Sequence, residues 1–347
     1  MDTNALILSS DYARLGKDSR ELARKCAAGE LRRIRQGVYV AEPVWKALKP
    51  WDRYPLLILA TATTLRTRNV FCLESAAALW RIPLLGAQKV VHACTDDAAG
   101  GRSKAGISRH RISVSGSEIC ERTGLLVTSR ERTVLDLGAL RPFEQAVIAF
   151  DHVLKPDAVT GLPPLDRESL KAMATERYSA AAARRISTAL DFADPNSGSP
   201  GESLSRAYMF LGGFPIPLLQ CRVADRKGFV AYLDFEWGVE RIAGEFDGLV
   251  KYQKPEFLRG RTVSEVVIAE KRREDRVRAT GRRVVRWTWA ELRDAETFAA
   301  FLIAEGVPKL PLRATIPGVR ATPRGRCASD RGRGAGTPWC GAGWGRQ

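Results

Sequence analysis

What this chain has little of narrows it first. Histidine occurs three times in 347 residues, at His92, His110 and His152, which argues against a zinc centre built on imidazole ligands. The seven cysteines are Cys26, Cys72, Cys94, Cys120, Cys221, Cys327 and Cys340, and no two stand in a Cys-x-x-Cys pair. An odd, scattered set points to reduced thiols in a cytoplasm, not to a disulfide framework. His92-Ala-Cys94 comes nearest to a metal motif and reads better as part of a strand. Long hydrophobic runs are missing too. The most apolar stretch, YPLLILATATTL (54–65), is too short and too rich in threonine to span a bilayer; it reads as a buried helix with Pro55 in its first turn. The opening MDTNALILSSDYARLG lacks the basic start of a secretory signal. The expectation is a cytoplasmic protein with no membrane partner.

Acids are scarce relative to bases. There are 55 Lys and Arg against 39 Asp and Glu, a formal charge of +16. Eight of the basic residues and one of the acids lie between Lys309 and Gln347, so +7 of the excess is local and +9 belongs to the rest. A body basic in its own right points to polyanions as partners; the plainer reading is an Arg-rich surface that aids solubility. With 45% hydrophobic and 27% charged residues the composition is globular, and this length calls for two or three domains.

Residues 1–85 open with a helix over 17–28, KDSRELARKCAA, with Leu22, Ala23 and Cys26 on one face. Asp18 or Ser19 caps it and Gly29 ends it. The hairpin LRRIRQGVYV (31–40) follows, turning at Gly37. A helix followed by a basic hairpin is the layout of a winged helix-turn-helix, with the helix in the major groove and the wing's cations on phosphate; a small helical cap carrying a charged hairpin is the alternative. Residues 86–195 read as a mixed α/β middle region. Strands are expected at 90–94 and 108–114, and a strand over 124–128 passes into a helix capped by Ser129. Further helices are expected over 144–154 and 167–192, separated by a linker at 155–166. His152 reads as a packed or surface histidine. Residues 309–347, rich in Gly, Pro and Arg, read as a disordered basic tail.

Residues 200–305 read as a self-contained α-β-β-β-α-β-α unit, and LDFEWGVERIAGEFDG (233–248) is its puzzle, since it sets acids, Asp234, Glu245 and Asp247 among them, into two strands. A turn centred on Val239-Glu240 makes Trp237 face Ile242 and Asp234 face Glu245, with Asp247 on the same side. Adjacent carboxylates need neutralising. A divalent cation does this, because Mg²⁺ takes carboxylates, waters and phosphate oxygens; a solvated face paired with nearby arginines is the other answer. The charged helix 262–280 pairs Lys271 with Asp275 and Glu274 with Arg278. Trp287 and Trp289 read as core residues before base-stacking ones.

Two resemblances accompany these residues. GELRRIRQGVYV together with CLESAAALWRIPL (72–84) resembles the N-terminal part of AbiEi-type antitoxins and transcriptional regulators. That implies DNA contacts from Arg20 and Arg24 near the recognition helix and from Arg32, Arg33 and Arg35 on the wing. ESLSR (202–206), YLDFEW (232–237), GEFDG (244–248), EKRREDRVRATG (270–281) and VVRWTW (284–289) resemble the Vsr-like domains of the restriction-endonuclease-like, PD-(D/E)XK superfamily. That implies Mg²⁺ or Mn²⁺ held by Asp234, Glu245 and Asp247, with Glu202 as an outer ligand or water-orienting group. The superfamily pattern wants Lys two positions after the Glu, where this chain has Asp247; Lys251 or Lys271 is left to supply the cation. Together they imply an α/β fold, α+β overall: winged helix-turn-helix, mixed middle region and endonuclease-like domain. The implied protein binds double-stranded DNA and hydrolyses phosphodiesters. A non-catalytic regulator or antitoxin with a toxin or other protein partner is the alternative, and a role on RNA or in protein interaction is a third class.

Overall fold

The computed structural model describes residues 5–16, 18, 20–65, 67–95, 106–248 and 262–310. Residues 96–105, Lys251 and the tail beyond residue 310 lie outside these. The fold is α+β, and the chain divides into two compact units, residues 1–149 with 165–188 and residues 150–164 with 189–347. No helix among the described residues is long and apolar enough to cross a membrane.

The first unit opens with β1 (Leu6–Leu8), α1 (Ser9–Arg14), α2 (Arg20–Ala27), β2 (Leu31–Arg35) and β3 (Val38–Ala41). The expected helix and hairpin are present. Asp18 Oδ1 accepts the Arg20 N–H at 2.9 Å, and Gly29 and Gly37 take φ of +74° and +77°, which a residue without a β-carbon adopts freely. Leu22, Leu31 and Tyr39 form the core beneath them. Two elements are additional: α1, and β1, which pairs antiparallel with β3 to complete a sheet of order β1-β3-β2.

The chain continues through α3 (Glu42–Ala47), α4 (Pro50–Ala62), β4 (Val70–Phe71), α5 (Leu73–Leu79), β5 (Val91–Cys94), β6 (Ile107–His110), β7 (Ile119–Arg122), β8 (Leu125–Thr128) and α6 (Arg130–Leu140). α4 begins at Pro50, so Pro55 sits inside it and not in its first turn. The strands form one mixed sheet of order β6-β5-β4-β8-β7. Because β4 belongs to it, the expected boundary at 85/86 falls inside a single sheet. Ser129 caps α6 as expected, its side chain accepting the Arg132 N–H. α7 (Phe143–Val153) follows, then α8 (Arg167–Arg177) and α9 (Ala180–Phe192). These last two replace the single helix expected over 167–192. The break falls at Tyr178, whose hydroxyl donates to Asp136 Oδ1 at 2.6 Å.

The second unit has the expected order: α10 (Pro200–Leu211), β9 (Leu218–Asp225), β10 (Gly228–Trp237), β11 (Ile242–Phe246), α11 (Val263–Ala279), β12 (Arg283–Trp287) and, after a 3₁₀ turn at Glu291–Arg293, α12 (Ala295–Ala304). Ser199 caps α10, and Thr262 and Glu265 form a reciprocal capping box on α11. The sheet runs β12-β11-β10-β9. β9, β10 and β11 are antiparallel neighbours, and β12 returns parallel to β11, which demands the crossover that α11 provides. Close packing fixes α10 on this sheet, since a β-carbon at Gly201 would collide with the Phe246 ring. Beside α10, Trp287 stacks on Phe235 at 5.1 Å between ring centres and gives its indole N–H to Ser205 at 2.8 Å.

Candidate functional site

The acids sit where the register carries them. Trp237 faces Ile242 and Phe235 faces Gly244, the pairing expected from a turn at Val239-Glu240. One step further along, Asp234 stands beside Glu245. Asp234 Oδ2 accepts the backbone N–H of Phe246 at 3.0 Å, so a side chain continues the bonding between the two strands. On its other side Asp234 lies between Leu233 and Phe235, whose partners in β9 are Cys221 and Leu219; its neighbour there is Gln220. Gln220 has φ of +52°, a left-handed conformation that costs a residue with a side chain about 1–3 kcal/mol. Its Nε2 donates to Glu202 Oε2 at 3.4 Å. Glu202, in the first turn of α10, is buried and also accepts the Gly198 N–H at 2.7 Å. Gln220 is thus bonded to Glu202, and by register Asp234 lies next to Gln220 on one side and Glu245 on the other.

Two arginines reach Glu245. Arg286 is the β12 partner of Glu245, and its Nη2 lies 2.9 Å from Glu245 Oε2. Arg273, reaching from α11, puts its own Nη2 at 2.9 Å from the same oxygen. Both cations also hold Glu270 Oε1, at 2.6 Å from Arg273 and 2.7 Å from Arg286, and Glu274 lies 3.3 Å from Arg286. Burial would raise the Glu270 pKa, but the hydrogen bonds from Arg273 and Arg286 outweigh it and the net shift is downward. Burial likewise works against the charged forms of Arg273 and Arg286; Glu245 and Glu270 outweigh it, and both guanidinium pKa values rise.

The remaining expected residues divide. The backbone N–H of Asp247 donates to the Trp287 carbonyl at 2.8 Å, extending β11 along β12. Among the described residues no group of three or more His, Cys, Asp or Glu side chains could hold a metal ion, so Asp234, Glu245 and Asp247 do not form one three-carboxylate set. What stands together is the pair Asp234 and Glu245, and one or two carboxylates are what Mg²⁺ commonly takes, the rest coming from waters and phosphate oxygens. Lys271 is exposed on α11; the α11 cation that reaches Glu245 is Arg273, two residues on. Lys251 lies outside the described residues. Trp287 is buried as expected, whereas Trp289 is 38% exposed and meets Phe246 edge-on at 5.2 Å.

Sequence reasoning missed three members of this site. Arg286 had a signal: it alternates with Val285 and Trp287 on a strand parallel to the one bearing Glu245. Arg273 had a weaker one, its place three residues after Glu270. Lys155 had none, because a lysine in the Pro-containing segment 155–166 reads as solvated. Burial lowers its pKa against the pull of the Glu202 and Asp151 carboxylates, and its ammonium donates to the Ser197 carbonyl.

In the first unit the five expected DNA-contacting arginines are not equivalent. Arg20, Arg24 and Arg33 are exposed. Arg32 forms a two-pronged pair with Glu42 at 2.9 and 2.8 Å and lies over the Trp45 ring at 5.2 Å. Arg35 is partly buried and its pKa is lowered by that burial; a register shift between Arg33 and Arg35 marks a bulge at this point in β2.

No protein-family model and no curated protein matches this chain.

Proposed function

We propose that this chain binds double-stranded DNA and hydrolyses phosphodiester bonds in it, with Mg²⁺ or Mn²⁺ as the cofactor. The observation that carries the reading is the register, which puts Asp234 of β10 and Glu245 of β11 in neighbouring positions one step beyond Phe235 and Gly244, with the Asp234 carboxylate accepting the Phe246 N–H between the two strands. Asp234 and Glu245 are the residues that would hold the ion, which when bound would polarise a phosphodiester and activate water. The protein's own groups do the rest. Arg286 and Arg273 fix the Glu245 carboxylate at Oε2 and offer guanidinium N–H groups to charge developing on a phosphate. Glu202, fastened by Gly198 and Gln220, orients Gln220 toward Asp234. The winged-helix reading of α1, α2 and the β2–β3 hairpin supplies duplex docking, through Arg20, Arg24 and Arg33 on phosphate.

One observation favours a second reading. Arg273 and Arg286 already balance Glu245, as they would on a sheet face that serves structure alone. In that case the chain is a non-catalytic regulator or antitoxin that binds DNA and a protein partner such as a toxin.

Isothermal titration of Mg²⁺ and Mn²⁺ into the wild type and Asp234→Asn, beside a plasmid-nicking assay of both, separates the two. Metal uptake and nicking that both disappear in the variant support the hydrolytic reading. A wild type that retards duplex DNA but takes up no metal and leaves plasmid intact overturns it in favour of the regulator.

A further inference from the structure

The β9–β10 hairpin carries two large aromatic rings that no described residue buries. Phe229 is 48% exposed and Tyr232 55% exposed, with ring centres 5.1 Å apart. They stand three residues apart in one strand, and residues so spaced in a regular strand point to opposite faces. Here a register shift between Phe229 and Ala231 marks a bulge at Val230. Val230 and Ala231 are both buried, at 8% and 4% exposure, so the extra residue is absorbed inward. That places Phe229 and Tyr232 together on the solvent side. A bulge re-aims side chains at the expense of ladder pairing. Isolated exposed apolar residues are ordinary on a protein surface, but adjacent large ones mark an interaction site.

The exposed charge beside the rings is basic. Arg222 is the β9 partner of Tyr232, and its guanidinium lies 5.5 Å from the Phe229 ring centre. Arg226 and Lys227 are exposed at the turn. The acid in this turn, Asp225, is engaged on both oxygens by Arg276, at 2.7 and 2.8 Å. Arg276 also donates to the Phe229 carbonyl at 3.2 Å, which anchors the hairpin tip to α11. β9 is the edge of its sheet.

We propose that this face binds an unpaired nucleic-acid strand, with bases stacked on Tyr232 and Phe229 and phosphates held by Arg222, Arg226 and Lys227. Aromatic faces beside cations suit bases on a phosphate backbone, and stacking accepts any base. A second copy of this chain is a poor occupant, because each carries a formal charge of +16. Tyr232 and Arg222 lie two residues along their strands from Asp234 and Gln220, so the site adjoins those acids, but strand binding does not need them to be catalytic.

The test uses the full chain and fluorescein-labelled oligothymidylate and oligouridylate of roughly a dozen nucleotides, read by fluorescence anisotropy over a range of salt. A labelled duplex and sedimentation velocity run beside them. The variants are the double substitutions Phe229→Ala/Tyr232→Ala and Phe229→Leu/Tyr232→Leu, the second keeping apolar bulk without a π-face. Both should weaken single-strand binding by about tenfold or more, because each stacked base contributes that order. The salt slope should stay unchanged, since the rings carry no charge. Arg222→Ala should instead flatten the slope by about 0.7. Binding of either single strand with this pattern supports the proposal, and the ratio of the two says whether the sugar is read. The proposal is overturned if the wild type binds neither strand, if either double variant binds as well as the wild type, or if the rings prove to hold a dimer that the variants dissolve. Duplex binding that survives in these variants but falls in Arg24→Ala/Arg33→Ala shows that the two sites are distinct.

Discussion

At the scale of single residues, the arginines define this molecule more than its acids do. Arg132 meets the buried Glu118 and Asp136, Arg141 meets Glu74, and Arg282 meets Glu236. Asp151 and Arg206 are the most enclosed pair, at 1% and 3% side-chain exposure and 2.9 Å apart. Burial pushes the Asp151 carboxyl above its ordinary range against the opposing pull of Arg206. Arg206→Ala leaves that carboxylate alone and should cost about 3–5 kcal/mol, read as a lowered urea midpoint; Asp151→Asn in the same chain should recover part of it. Arg32 gives the converse case. The hydrogen bonds from Arg32 hold Glu42 below the usual carboxylate range, so Glu42→Gln should release Arg32 and raise duplex affinity in a low-salt binding assay. If the affinity is unchanged, Arg32 is not oriented toward DNA. None of these partners was legible in the sequence. Asp234 and Glu245 were, because two residues opposite each other in a hairpin are fixed by a local turn. Arg273 was not, because its approach to Glu245 depends on how α11 lies across the sheet.

At the scale of elements, the second unit was read nearly complete, whereas the first was not. Alternation in β10, the Thr262–Glu265 capping box and the glycine stops are local signals, and they outlast tertiary context. The strand β1 is three residues long and exists through its pairing with β3, which no short-range pattern announces. The break at Tyr178 is likewise set from a distance, by Asp136. The bulge at Val230 was invisible for the same reason, since it depends on which residues the second unit buries. Close packing makes one element-scale prediction. A β-carbon at Gly244 would lie 2.7 Å from the Trp287 ring and 3.0 Å from that of Trp237; Gly244→Ala should therefore destabilise by about 1–3 kcal/mol, measured by urea unfolding. A pH prediction belongs to the tie between the β9–β10 turn and α11. The hydrogen bonds from Arg276 hold the Asp225 pKa down at about 2, against about 3.9 for a free aspartate. A depressed carboxylate stabilises the fold above its unfolded pKa and loses that effect as pH falls toward its folded one. The gap in urea midpoint between wild type and Asp225→Asn should thus be constant above about pH 5 and close between about pH 4 and pH 2. A gap that persists at the acid end would mean that Asp225 is not held by its charge.

At the scale of the whole molecule, the charge of +16 was the first thing read, and it predicts a steep salt dependence for any duplex complex. Each phosphate contact contributes about −0.9 to the slope of log affinity on log salt. Arg33→Ala should therefore flatten the slope by about 0.9 in an anisotropy titration, and Arg35→Ala, which alters a partly buried side chain, by much less. Equal slopes for Arg33→Ala and the wild type would remove the β2–β3 hairpin from the duplex contact. The division into two units is the least legible level, because the first combines residues 1–149 with 165–188 and no local pattern announces that return.

Residues 165–188 complete the first unit although 150–164, which precede them, belong to the second. On the ribosome this makes the order of synthesis different from the order of assembly. The first unit's five-stranded sheet is fully synthesised by Thr128, yet the unit must wait until Tyr178 has emerged to supply the partner of Asp136. The 150–164 segment, with Asp151 among it, waits longer still, for Arg206. Through that interval a buried-to-be carboxylate is held in water, where it is stable. A nascent chain released after residue 164 should consequently be cleaved by protease within α6, and one released after residue 192 should protect it.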